Sequence, residues 1–470
     1  MNLPGRSLQC VLLLTLTAVP VGRGVFAAPA EPVEDQPKLD PRLQKYFAAK
    51  EQHARRLVDQ LKLAVDPQTW DYFAAGIKGN WSAVLELYHD FRQRSGQYNG
   101  TFVDPLVRTP VWQTVNETYG AYEAFAKMDV KFVDAFAHDI VDSIPRGGVY
   151  FGGTDPGRWI ITAFCKSHAD ADPFFVLTQN ALADGTYLAY LRAMYGTKLY
   201  MPTDADSKQA FDEYLADAKK RLKAGRLKPG ENVSFVSEED DLVAEEDNKV
   251  QVSGQVAVMS INALIAKTIF DKNPGREFYL EESFPLDWMY PYLSPHGLIM
   301  KINRQPLKEM TDAIVEKDRK YWQKQTAALI GDWLREETGV KAICEFADLI
   351  YGQRDFEGFK GDVNYVNADA GYNPQLIYAK LRASQASVYA WHADHAATRK
   401  EKQRMARAAD FAFRQAIALG PRSPEAVARY VNFLREQHRL NDARLVANTG
   451  AGMAPGDGGL HRLAEDLKTE

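Results

Sequence analysis

The sequence predicts an α/β domain with a small, mostly parallel sheet, flanked by N-terminal helical hairpins and a C-terminal tetratricopeptide-like helical array, helix-rich overall. Three observations lead there. Across residues 141–305, short apolar runs bounded by glycine alternate with helix-length segments. Before them, apolar residues recur at helix spacing. After them, small, aromatic and proline residues fall in the register of a helical repeat of about 34 residues.

The chain opens with the layout of a secretory signal over residues 1–28: basic Arg6, an apolar run over 11–21, then small residues at Ala27 and Ala28. A membrane span wants about 20 continuous apolar residues, and Pro20, Gly22, Arg23 and Gly24 interrupt this run. Cleavage is expected, and with it export to the periplasm or the extracellular space, with no membrane span in the mature chain. Cys10 lies ahead of the apolar core, so no lipid anchor is implied. Losing Arg6 and Arg23 takes the formal charge from -5 to about -7, which argues against nucleic acid or an anionic membrane as the main partner. Cys165 and Cys344 remain, too few for a disulfide framework and without C-x-x-C or zinc-ligand spacing; both are expected to be buried and unpaired. Glycosylation sequons stand at Asn80, Asn99, Asn116 and Asn232.

A proline-rich leader (Pro29, Pro32, Pro37, Pro41) precedes a helical segment over 39–95, in which Leu57, Leu61 and Val65 recur at helix spacing. Lys78-Gly79-Asn80 combines a glycine terminator with an asparagine cap, the chemistry of a helical hairpin. Its aromatics (Trp70, Tyr72, Phe73, Trp81, Tyr88) read as hairpin core. From residue 147 the run GGVYFGG is a buried strand followed by a helix over 156–169. The strand at 174–178 and the helix at 184–195, with Tyr187, Leu188 and Leu191 on one face, repeat that unit. A helix over 256–270, a strand at 277–281, a short helix at 288–293 and a closing strand at 298–302 complete the domain. Near 237–247 the acidic run SEEDDLVAEED, preceded by a basic run over 219–228, reads as a mobile, solvated insertion.

The C-terminal region, 306–448, is helical. Ala409, Phe413, Ala416 and Pro421 occupy the small, aromatic, small and proline positions of a tetratricopeptide unit. Val427, Tyr430 and Leu434 follow as first-helix core of the next, with Ala443 at its small position and Ala447 in place of the aromatic. A further helix over 372–397 precedes them. The glycines of TGAGMAPGDGG end the array, and 449–470 is expected to be a flexible tail containing at most a short polar helix.

In open parallel sheets, ligands bind beyond the carboxyl ends of the strands. Here those ends carry Thr154, Asp155 and Arg158; Gln179, Asn180 and Asp184; then Glu281, Glu282 and Ser283. All of these except Ser283 are the candidate ligand-binding residues. Two readings stand for the first loop: a helix cap with Pro156 in the first turn, or an anion site of outward N-H groups with Arg158 beside it. Asp155, Asp184, Glu281 and Glu282 are likewise readable as caps or as an acid/base group able to hold a hard cation. His296 reads as a hydrogen-bonded structural histidine. The sequence contains no dinucleotide or P-loop fingerprint, no G-x-S-x-G, no H-E-x-x-H and no cysteine nucleophile with a nearby histidine. No cofactor, metal or catalytic residue is assigned.

The succession Ile144-Pro145-Arg146-Gly147-Gly148-Val149-Tyr150-Phe151 with Gly153-Thr154-Asp155, the Phe-Phe-Val-Leu-Thr-Gln strand, Glu281-Glu282-Ser283-Phe284-Pro285, Trp288-Met289-Tyr290 and His296-Gly297-Leu298-Ile299 resembles a known soluble tail. It is similar to the extracytoplasmic domain that follows the membrane helices of bacterial protein O-mannosyltransferase-like proteins, over about a third of the chain. The resemblance implies fold and compartment. Glycosyl transfer in that family belongs to a multi-spanning part that this sequence lacks, so no catalytic residue carries over.

Two functions are expected from this reading. The first is an exported, non-catalytic binding or scaffold module of the cell envelope, with a protein partner on the helical repeats and a polar or glycan ligand on the α/β domain. The alternative is a saccharide-processing enzyme or glycosyltransferase accessory using Asp155, Asp184 or Glu282 as acid/base.

Overall fold

The computed structural model describes residues 39–96, 103–227, 232–236, 249–281, 286–368 and 373–469. The segment expected to be a signal peptide, the leader before residue 39 and the acidic run near 237–247 lie outside them. The described chain is helix-rich and built on a small mixed sheet.

Helix α1 (Pro41–Leu61) starts on a cap in which Asp40 accepts from the Arg42 N-H at 2.8 Å, with Pro41 in the first turn. Its buried face is Leu43, Phe47, Lys50, Ala54 and Leu57. Leu61 is exposed, and the helix ends in a left-handed Lys62 at φ 53°. The expected Leu57, Leu61, Val65 stripe therefore does not form: the helix stops before it can be completed. Helices α2 (Gln68–Lys78) and α3 (Trp81–Arg94) make the predicted hairpin. Gly79 sits at φ +74°, where a side chain would be strained, and the Asn80 side chain accepts from the Ala83 N-H at 3.3 Å. Tyr72, Phe73, Trp81 and Tyr88 are buried as expected. Helices α4 (Trp112–Lys127) and α5 (Val130–Val141) complete this part. Asn116 on α4 is buried and accepts from the Tyr88 hydroxyl, so that sequon is not presented at the surface.

Strand β1 (Val149–Gly152), helix α6 (Asp155–Phe164), strand β2 (Phe175–Thr178) and helix α7 (Gly185–Tyr195) follow in the predicted order. The first crossover helix ends at Phe164 rather than 169; the chain bends there and makes a short 3-10 turn at His168–Asp170. Helix α8 (Asp204–Lys223), strands β3 (Asn232–Val236) and β4 (Lys249–Ser253), helix α9 (Gln255–Lys272) and strand β5 (Phe278–Glu281) come next. The acidic run connects β3 and β4, an antiparallel pair separate from the main sheet.

The main sheet has the order β2-β1-β5-β7-β6, where β6 is Leu293–His296 and β7 is Ile299–Ile302. Only β1 with β2 and β1 with β5 are parallel; β5 with β7 and β7 with β6 are antiparallel. The sheet is thus mixed rather than mostly parallel. Three strands are not expected from sequence: β3 and β4 on either side of the acidic run, and in the main sheet β6, whose Pro295 argues against a central strand but is tolerated at the sheet edge, where β6 lies. His296 Nε2 donates to the Ser143 carbonyl at 3.0 Å, a structural contact.

The remaining elements are α10 (Asp312–Ile330), α11 (Val340–Ala347), α12 (Val363–Val366), α13 (Pro374–Asp394), α14 (Arg399–Leu419), α15 (Pro424–Glu436), α16 (Leu440–Met453) and α17 (Gly458–Thr469). The end of the chain departs from expectation. The glycines at 450 and 452 lie inside α16, and α17 buries Leu460, Ala464 and Leu467 against the preceding helices. Those three sit at helical spacing, so the segment read as a flexible tail is an amphipathic helix that finishes the core. Cys165 and Cys344 are both free and buried.

Candidate functional site

Strand β1 leads through α6 to β2 on one side, and the chain then crosses to β5 on the other, so the carboxyl ends of β1 and β5 flank the topological switch point. Gly152 and Glu281, their last residues, are register partners. The crevice is already filled. Glu281 is fully buried and accepts from the N-H groups of Gly153 (3.1 Å) and Thr154 (3.0 Å) and from the Thr154 hydroxyl (2.6 Å). Burial pushes its carboxyl pKa up, while the hydrogen bonds from Thr154 and Gly153 pull against that. Thr154 also caps α6, accepting from the Gly157 N-H at 3.1 Å. Gly157 is the close approach that makes room: a Cβ there would lie 1.8 Å from Glu281 Oε2. The cap reading of the first loop is met; the Gly153 and Thr154 N-H groups are taken by the protein's own Glu281, and Arg158 pairs with Asp155 rather than standing beside an anion there.

Gly157→Ala is therefore expected to destabilise the protein by about 1–3 kcal/mol through overpacking. Adding Glu281→Ala should remove most of that increment, because the two sites share one volume; simple additivity of the two losses in urea unfolding would show that the contact is not the cause.

The other candidates disperse. Asp184 caps α7, accepting from the Thr186 N-H at 2.8 Å, and pairs with Arg108 at 2.7 Å. Asp155 is exposed and meets Arg158 at 3.4 Å, while Arg158 lies 4.0 Å over the Trp159 ring. Asn180 donates to the Gly153 carbonyl at 3.4 Å, and its own carbonyl accepts from Asn262 at 3.0 Å. Gln179 is fully buried with neither amide atom hydrogen-bonded. Glu282 and Ser283 lie outside the described residues. Thr154, Asn180 and Glu281 thus meet around Gly153, whereas Asp155 and Asp184 are engaged elsewhere. Among the described residues no group of His, Cys, Asp and Glu is arranged to hold a metal.

Sequence reasoning missed a second polar cluster where α1 and α4 meet the α/β part. The Lys50 ammonium donates to Glu117, to His168 Nδ1 (2.7 Å) and to the Tyr190 hydroxyl (3.2 Å), and that hydroxyl donates to Glu117 at 2.9 Å. All four side chains are buried. Burial alone would raise the Glu117 carboxyl; the Lys50 ammonium and the His168 ring outweigh it and hold it below the usual range. Burial, and then Lys50, push His168 down and His53 down to about 2. Burial pushes the neighbouring Cys165 thiol up to about 12, so it is not a nucleophile. The residue types are those of an acid/base centre, but the cluster is closed from solvent and ties three parts of the chain together. Its signal was available: Lys50 falls within the apolar stripe of α1.

Room for a ligand lies elsewhere, in a groove of about 570 Å³ between α10, α13, α14 and the end of α15. Six arginines and three carboxylates line it. At its floor Arg382, itself buried, holds Asp318 at 2.9 Å and Gln415 at 2.9 Å, with the Tyr389 hydroxyl also on Asp318 at 2.9 Å. Asp410 takes Arg439 at 2.6 Å and Arg414 at 3.1 Å. Phe411 and Phe433 supply apolar wall. Arg404, Arg407, Phe411 and Arg414 form one stripe along α14 by helical spacing, a pattern visible in the sequence but not singled out there, where Ala409, Phe413 and Ala416 of the same helix are read as repeat core. Compared with known proteins, the chain matches no family model, no curated protein and no solved structure.

Proposed function

We propose that the chain is an exported, non-catalytic binding module of the cell envelope that receives a protein partner in the groove of its C-terminal helices. The observation that carries this reading is a contrast. The described carboxylates at the strand ends, Asp155, Asp184 and Glu281, are consumed by a cap, ion pairs and an internal hydrogen-bond set, whereas the groove has volume within the range of ligand sites and is lined by both charged and apolar side chains. The leader and the resemblance to an extracytoplasmic tail support the compartment.

The C-terminal helices are read as tetratricopeptide-like pairs, α13 with α14 and α15 with α16. Supporting this, Ala409, Phe413, Ala416, Val427, Tyr430, Leu434 and Ala443 are all at most 1% exposed, and the Phe413 and Tyr430 rings stack at 5.3 Å. A polar or glycan ligand on the α/β part retains one supporting observation, the unpaired amide of Gln179.

The test is thermal unfolding of the mature chain against panels of peptides and oligosaccharides, since a ligand that binds only the folded state stabilises it by about 2.7 kcal/mol at a hundredfold excess over Kd. A peptide-dependent rise is expected that disappears in Ala406→Trp, which fills the groove, and persists in Asp155→Ala. A saccharide-dependent rise lost in Asp155→Ala and kept in Ala406→Trp would return the ligand site to the strand ends.

A further inference from the structure

The assignment of the C-terminal groove to a protein partner is the premise here, and the charge pattern of the groove narrows that partner's chemistry. Five of the six lining arginines have carboxylates of their own. Arg382 has Asp318, Arg414 has Asp410, and Arg439 has Asp410 and Asp442. Arg319 has Glu316 and Glu336, and Arg404 has Asp312 and Glu401. Arg407 is exposed and has no ion-pair or hydrogen-bond partner among the described residues. It stands midway along the α14 stripe, one turn from Phe411.

We propose that the groove recognises a polypeptide segment in which one Asp or Glu side chain pairs with Arg407 while an adjacent apolar side chain packs on Phe411 and Phe433. A guanidinium presents a planar fork matched to a carboxylate, and the aromatic wall beside it favours an apolar neighbour. The rim decides against other anions. Asp318, Glu336 and Asp410 line the groove itself, and Asp312, Glu316 and Glu401 pair with its arginines Arg404 and Arg319, so a uniformly negative polymer such as a nucleic acid or acidic polysaccharide would meet carboxylates along the same surface. A polypeptide, carrying both signs and apolar groups, can match such a mixed surface.

The experiment selects from a random peptide library displayed on phage against the full mature chain, then measures the enriched peptides in solution by fluorescence anisotropy. Enriched peptides are expected to share an acidic residue beside an apolar one. Their binding should weaken about tenfold in Arg407→Glu and be restored there when the peptide's acidic residue is replaced by lysine. Because Arg407 is exposed and unpaired, the variant should unfold at the wild-type temperature. Peptides blocked by Ala406→Trp but indifferent to Arg407→Glu would overturn the acidic pairing while leaving the groove as the binding surface. Peptides indifferent to Ala406→Trp as well would overturn both.

Discussion

Lys50→Ala lowers the unfolding free energy by about 3–5 kcal/mol, the cost of leaving one member of a buried ion pair without its partner. The loss is large because every group around the ammonium is itself enclosed. Glu117 would keep the Tyr190 hydroxyl at 2.9 Å and the His168 ring at 3.5 Å but lose its cation, and His168 Nδ1 would lose its contact with Lys50 at 2.7 Å. Replacing both charges, as Lys50→Met with Glu117→Leu, should recover most of the loss, because two apolar groups of similar size carry no desolvation cost. Urea unfolding at neutral pH reads both variants. If Lys50→Ala costs less than about 1 kcal/mol, in the range of surface pairs, then water reaches the cluster and the closed arrangement is wrong.

Acidification is expected to produce the second large effect. Above the ordinary histidine value of about 6.5, His53 is neutral in both folded and unfolded chains and contributes no slope. Below it the unfolded chain takes up a proton that the folded chain, with His53 held down to about 2, does not. Stability must then fall as pH falls, by about 2 kcal/mol at pH 5 for this ring alone. His168, pushed down by burial and by Lys50, acts in the same direction. Glu117, held below its usual range, stays ionised through this window and adds almost no slope to it. Comparing unfolding free energies at pH 7.5 and pH 5.0 in the wild type and in His53→Leu isolates the ring. An identical pH difference in the two proteins would mean that His53 is protonated in the folded state.

Periodicity and end chemistry carried most of the fold. The α2–α3 hairpin was legible because Gly79 and Asn80 each have one dominant structural use. Strands β1, β2 and β5 were legible because short apolar runs bounded by glycine, proline or polar residues have few alternatives. Strand β6 was hidden because its proline is permitted only by a position at the sheet edge, which depends on the rest of the sheet. The helix at the end of the chain was hidden because glycine-rich composition outweighed the spacing of Leu460, Ala464 and Leu467. The candidate site was legible in its membership more than in its state: Thr154, Asn180 and Glu281 do converge, but the sequence could not show that Glu281 turns inward. Nor could it show that Lys50 meets Glu117 and His168, because pairings so distant along the chain are set by packing rather than by local pattern.

The carboxylate of Glu281 has a consequence for competition. It is tethered to the strand beside the crevice, so a free phosphate or carboxylate must displace an intramolecular rival whose effective concentration is on the order of millimolar or above. The side chain it would displace is packed against Gly157, where even a Cβ would not fit beside it. A weak free anion in ordinary buffer loses that contest. The switch point of this sheet thus behaves as a self-liganded site, which ties β1 to β5.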